Sequence, residues 1–179
     1  MISFKEYRLL MERSLSESPT MDDFIGVNSF DHEQTELYNL MRNHSDATDL
    51  GDSYYHQGDS EESNFYHMNN NGEIDARSNI LDGVQVSLKK KPNVSSDVPL
   101  NLLRHALNYR GRIESDSVHT KGSRKFWQNL SNHFPTAKFK IRNTETGVET
   151  AIDPSVLKSQ QHKIWDSKDS HKYTIVIEK

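Results

Sequence analysis

Nine histidines, twenty-two lysines and arginines and no cysteine define the chemistry open to this 179-residue chain. Without a thiol there is neither a disulfide framework nor a thiolate nucleophile. Imidazole, which titrates near neutrality, is the natural general acid or base. His119, His133 and His171 lie in the second half, interspersed with Arg124, Lys140, Tyr173 and Thr174. Together they would supply acid, base, phosphate clamp and hydroxyl donor for cleaving a phosphodiester.

The cations are the stronger pattern. Lys89, Lys90 and Lys91 form one group, Arg104, Arg110 and Arg112 a second, and Lys121, Arg124 and Lys125 a third. Lys138, Lys140 and Arg142 alternate with apolar residues, which places all three on one face of a strand. Cations gathered in this way would track phosphates, with Tyr109 and Trp127 as stacking surfaces. The same pattern also describes the solvated face of an ordinary half-buried hairpin. Residues 1–79 hold five Lys/Arg against sixteen Asp/Glu, a formal −11, and residues 80–179 hold seventeen against ten, +7. Such asymmetry points to an anionic partner for the basic half, or to an acidic segment that competes for the same surface.

Metal and cofactor signals fail on inspection. His32-Glu33-Gln34-Thr35-Glu36 begins like a zinc-protease helix, but Glu36 occupies the place of the second histidine. Residues 67–78 have partial calcium-loop register, yet begin with His67 and end with Ser78 where carboxylates are needed. There is no phosphate-binding glycine loop and no Gly-x-Ser-x-Gly elbow. No metal and no cofactor is expected.

The elements that must position these residues follow from periodicity. Ser3 with Glu6 makes a capping box for an N-terminal helix that ends before Pro19. A second helix is expected near Asp31 to Asn43. Asn, Asp, Ser, Gly and Glu dominate residues 44–78, predicting an acidic disordered linker whose Tyr54, Tyr55, Phe65 and Tyr66 dock on the domain or a partner. Order is expected from Asn79, with a strand over Val84, Val86 and Leu88. The most convincing amphipathic helix spans Asp97 to Gly111, with Asp97 as N-cap, Pro99 in the first turn and Gly111 as C-cap. A loop, Arg112 to Gly122, then leads to a helix from Ser123 to His133. A hairpin follows, Lys138–Arg142 with Val148–Ile152, and a last strand over His171 to Lys179. No apolar run approaches the length of a membrane span, so no membrane association is expected.

Three resemblances bear on function. Phe4, Glu6 and Tyr7 stand where the capsid-targeting propeptides of T-even-type bacteriophage internal head proteins carry an aromatic, an acid and an aromatic. That family's prohead protease cuts after glutamate in Leu/Ile-x-Glu, and this chain offers Leu10-Met11-Glu12 and Leu15-Ser16-Glu17. Ser18 is the small residue that suits cleavage after Glu17, whereas Arg13 follows Glu12. In element order alone, the second half resembles small barnase-like and toxin ribonucleases. Tyr109-Arg110-Gly111 is similar to the aromatic–arginine start of the nicotinamide site in ADP-ribosyltransferases, but the downstream Glu-x-Glu is missing.

The resulting expectation is an α+β protein with a small, mainly antiparallel sheet and two to three helices. Residues 1–17 would be a cleavable leader, 18–43 a short helical segment, 44–78 the linker and 79–179 the basic domain. By the first resemblance the chain is a virion protein of the capsid interior, processed by the phage prohead protease and delivered to the host cytoplasm. There its basic domain would bind DNA, RNA or a host protein. The alternative is a small phosphodiester-cleaving or ADP-ribosyl-transferring enzyme.

Overall fold

The computed structural model describes residues 46–117, 121–157 and 170–179, all within the compact unit Asn43–Lys179. The expected leader with its processing sites Glu12 and Glu17, the 18–43 segment and His119 lie outside the described residues. Among the described residues, nine strands form a single mixed sheet, and two helices pack against it. The strands are β1 (Thr48–Gly51), β2 (Tyr54–Gly58), β3 (Glu62–Met68), β4 (Ile74–Leu81), β5 (Val84–Lys90), β6 (Arg112–Ser115), β7 (Lys138–Asn143), β8 (Glu149–Ile152) and β9 (Tyr173–Glu178). Helix α1 is Asp97–Arg110 and α2 is Lys121–His133. Spatial order is β1-β2-β3-β4-β5-β6-β9-β7-β8.

This corrects the expected small sheet preceded by a disordered linker. The acidic stretch 48–81 forms β1 to β4, an antiparallel meander that supplies four of the nine strands. Asn79 is no domain edge, since it sits inside β4, paired to Asn64 on one side and Ser87 on the other. Bonds between neighbouring strands satisfy part of its buried polarity and let the stretch fold. Asn79 donates to Asn64 at 2.9 Å and Gln85 donates to Ser78 at 3.0 Å. Satisfied in this way, an amide or hydroxyl is buried at little cost.

Turns join the meander. Asp52 and Ser53 both take positive φ between β1 and β2, as do Asp82 and Gly83 between β4 and β5. Two such central residues match the twist of a two-residue hairpin. Gly58 at φ 113 closes the β2–β3 turn, where the Glu62 carbonyl oxygen would lie 2.0 Å from any Cβ.

A bulge between Asn79 and Ile80 shifts the β5 register. Gln85 is therefore buried, while Val84, Val86 and Leu88 are only half-buried, against the simple alternation expected. The β5–β6 join is parallel, so it requires a crossover, which α1 supplies. Its second strand, β6, occupies part of the expected 112–122 loop.

Helix α1 forms where periodicity placed it. Leu100, Leu102, Leu103, Ala106 and Leu107 are buried against the sheet. Each buried leucine is worth roughly 1.5–3 kcal/mol over exposure, enough to hold a helix whose cap is weak. The N-cap is Ser96 without a side-chain bond, and Asp97 is instead in the first turn, favourable to the helix dipole. Gly111 ends the helix in the left-handed conformation, its N–H donating to the Leu107 carbonyl at 2.8 Å. Trp127, Leu130 and Phe134 bring α2 into the same core, with Ile113, Phe139, Ile175 and Ile177 from the sheet. The aromatics of the expected linker are structural. Tyr54 and Phe65 lie in this core, and Tyr55 stacks on Tyr66 at 5.5 Å.

Candidate nucleic-acid interface

The face of β6, β9, β7 and β8 opposite the helices carries Arg112, Lys140 and Arg142, as alternation predicts for the last two. It also carries Glu114, Glu149 and Glu178, and the six side chains form an ion-pair lattice around buried Val176. Arg112 binds Glu149 and Glu178. Lys140 lies 3.2 Å from Glu149 and 2.8 Å from Glu178, and Arg142 lies 2.7 Å from Glu114. Glu114, almost fully buried, also accepts the Thr174 hydroxyl at 2.6 Å. The Arg112 guanidinium, aided by Lys140, holds the Glu149 carboxyl down at about 2, against burial that opposes it. Glu178 is lowered by Lys140 and Arg112 for the same reason. Of the three strand cations expected to track phosphates, Lys140 and Arg142 are thus paired to glutamates, whereas Lys138 is exposed.

Other cations serve the fold. Arg110 straps the end of α1 to the β2–β3 turn, donating to the Ser60 carbonyl at 2.6 Å and the Ser63 hydroxyl at 2.9 Å. Lys90 donates to the Val94 carbonyl at 2.9 Å, and Lys91 pairs with Glu73 at 3.1 Å. Lys89 stands opposite Arg77 in the β4–β5 ladder. On α2, Arg124 is half-buried and Lys125 exposed, and Lys138 is exposed at the start of β7. Lys121 opens α2.

One cluster of basic groups remains open. A cleft of about 370 Å³ lies between the second half of α1 and the end of α2. Arg104, Asn108, His133, Thr136 and Lys179 supply its polar lining over a floor of Leu107, Phe134, Pro135 and Ala137. No side-chain carboxylate lines it. Arg104 is held in place, donating to Asn101 at 2.6 Å with its guanidinium 5.6 Å from the Phe134 ring centroid. Cation–π contact and a single tether pre-organise the fork while leaving most of its donors for a ligand. His133 in the last turn of α2 and Lys179 just past β9 complete the polar rim.

Among the described residues, those expected to cleave phosphodiesters are not brought together. His133 is in this cleft, whereas His171 lies in the 3-10 turn Ser170–Lys172 at the far end of β9, roughly 20 Å of strand away. The Thr174 hydroxyl is buried and committed to Glu114. Trp127, proposed as a stacking surface, is core at 2% exposure, but Tyr109 is 53% exposed. Among the described residues no group of three His, Asp or Glu could hold a metal ion.

A second histidine cluster escaped the sequence reading, because its residues lie in the supposed linker and on α1. His67 Nδ1 bonds Asp75 at 2.6 Å beside a bulge in the β3–β4 ladder. The Tyr54 ring lies between His67 and His105, at 4.8 and 4.9 Å, and its hydroxyl accepts from Asn101 at 3.1 Å. His56 packs on Phe65 and Tyr109 at 4.7 and 4.2 Å, and its buried Nε2 has no hydrogen-bond partner among the described residues. Burial, then the Arg110 charge, pushes the His56 pKa below its ordinary value of 6.5. Burial, then Arg104, lowers His105 likewise, with Asp52 opposing.

These shifts have a defined sign. Below pH 6.5 the unfolded chain takes up protons that buried His56 refuses, so stability is complete above that pH and declines as pH falls through the folded value. Urea midpoints measured from pH 8 to pH 5 are expected to fall less steeply in His56→Phe than in the wild type. An unchanged slope would assign the acid sensitivity to other groups.

No family model, no curated protein and no solved structure matches this chain.

Proposed function

We propose that the chain is a bacteriophage internal head protein whose sheet domain binds nucleic acid. In this reading it is packaged in the capsid, trimmed by the prohead protease after Glu17 or Glu12, and delivered with the genome to the host cytoplasm. The leader rests on Phe4, Glu6 and Tyr7 and on the two Leu-x-Glu sites. Amino-terminal sequencing of the protein from mature particles is expected to begin at Ser18 or Arg13. An intact Met1, or absence from particles, overturns the packaging half of the proposal.

The binding half is carried by the α1–α2 cleft, where Arg104, His133 and Lys179 converge with no side-chain carboxylate beside them. A phosphate there would meet a pre-organised guanidinium and a flexible ammonium, the two modes by which proteins hold that group. Each phosphate neutralised releases counterions, so affinity falls with salt. Replacing Arg104 and Lys179 together by glutamine is expected to reduce the slope of log affinity against log salt by roughly 1.4, at about 0.7 per single-strand phosphate. Binding with the same slope in wild type and double variant would remove the cleft from the interface.

A further inference from the structure

Resting on that reading, we propose that the ligand is single-stranded nucleic acid, held by its phosphates in the cleft and by one base stacked on Tyr109. Tyr109 and Val148 are the two large hydrophobic side chains exposed among the described residues, and the exposure of Tyr109 serves no packing. The ring is nevertheless fixed. It lies 4.2 Å from the His56 ring and 6.0 Å, edge-on, from Phe65, both buried. An aromatic ring braced by two buried rings and half exposed is a platform of the kind that unpaired bases use. Holding it rigid beforehand removes the ordering cost at binding.

Position ties the platform to the cleft. Arg104 and Asn108 line the cleft, and Tyr109 follows Asn108 directly on α1. Four residues at about 1.5 Å each, about 6 Å of rise, separate Arg104 from Asn108, close to the spacing between neighbouring phosphates of an extended strand. Tyr109 lies on the β2–β3 side of α1, so a strand seated in the cleft crosses a helix about 10–12 Å wide and lays a base two or three nucleotides further on upon the ring. A duplex keeps its bases stacked inside and has none to offer, so the surface discriminates between the two forms.

The test uses the full chain and fluorescein-labelled 12-mers of deoxythymidine, uridine and a hairpin duplex closed by a non-nucleotide linker, titrated by anisotropy at fixed salt. The single strands are expected to bind at least tenfold more tightly than the hairpin. Tyr109→Ala should weaken single-strand binding by about 5- to 150-fold, the range for losing one stacked base, and leave hairpin binding unchanged. Tyr109→Trp should restore affinity. Equal affinity for hairpin and single strand, or a Tyr109→Ala variant that binds single strands normally, overturns the proposal. If that variant binds normally while the Arg104/Lys179 double variant fails, only the stacking is wrong. If no oligonucleotide binds at all, the nucleic-acid reading itself falls.

Discussion

Replacing Gly58 by alanine is expected to destabilise the domain by about 3 kcal/mol, the sum of left-handed strain and a backbone clash. The position tolerates no side chain. Its φ is +113, and a Cβ would stand 2.0 Å from the Glu62 carbonyl oxygen, which itself accepts the Asp59 N–H at 2.8 Å. The clashing atom is backbone in a closed turn, so relief requires opening the β2–β3 hairpin. The same turn anchors Arg110, so the end of α1 would loosen with it. Chemical denaturation of Gly58→Ala against Gly51→Ala makes the comparison, since Gly51 has open space around its Cβ position. This measurement also decides between two pictures of residues 44–78. In a disordered linker both substitutions would be neutral, whereas in a sheet Gly58 alone carries a steric clash.

The second large effect belongs to Glu114. Its carboxylate is almost fully buried and binds Arg142 at 2.7 Å and the Thr174 hydroxyl at 2.6 Å. Alanine there leaves a buried hydroxyl without an acceptor and an arginine whose Nε already has no partner among the described residues. Removing one side of such a cluster costs about 2–4 kcal/mol, more than the net worth of the pair, because the surviving polar groups stay desolvated. Glu114→Gln keeps the shape and the threonine bond, so it is expected to lose about half as much. In a double-mutant cycle, Arg142→Met should relieve much of the damage of Glu114→Leu. Strict additivity of the two would show that the pair does not interact. The rest of the lattice adds an acid limit. With Glu149 held at about 2 against an ordinary 4.5, its contribution is present above pH 4.5 and disappears as pH falls towards 2.

Read together, these sites divide the charge of the protein into two uses. Lys140, Arg142 and Arg112 close a lattice on one face of the sheet, while Arg104, His133 and Lys179 face a cleft with no side-chain carboxylate. Net charge in a sequence counts both kinds equally. Only a map of partners separates a cation that balances a glutamate from one that awaits a phosphate.

What the sequence determined alone were the elements whose apolar residues repeat at one period and whose ends carry caps. Helix α1, with five buried apolar residues and Gly111 at its end, is the clearest case. The β7–β8 hairpin, most of α2 and β9 follow the same logic. The meander was partly legible too. Asn71-Gly72 and Asp82-Gly83 are strong hairpin dipeptides, and both glycines take the positive φ those turns require. Only the flank after Gly83, with Val84, Val86 and Leu88, shows apolar alternation, and the strands before it carry no such signal. Tertiary structure decided the rest, because burial of Asn64, Ser78, Asn79 and Gln85 depends on partners on neighbouring strands, and no local window shows them. The same holds for the lattice and the cleft. Glu114 and Arg142 are 28 residues apart, and Arg104 and Lys179 meet only once β9 crosses the sheet between β6 and β7. Periodicity is a local property and could be read. Pairing between distant strands is a global one, and it alone determined which charges were neutralised and which were left facing solvent.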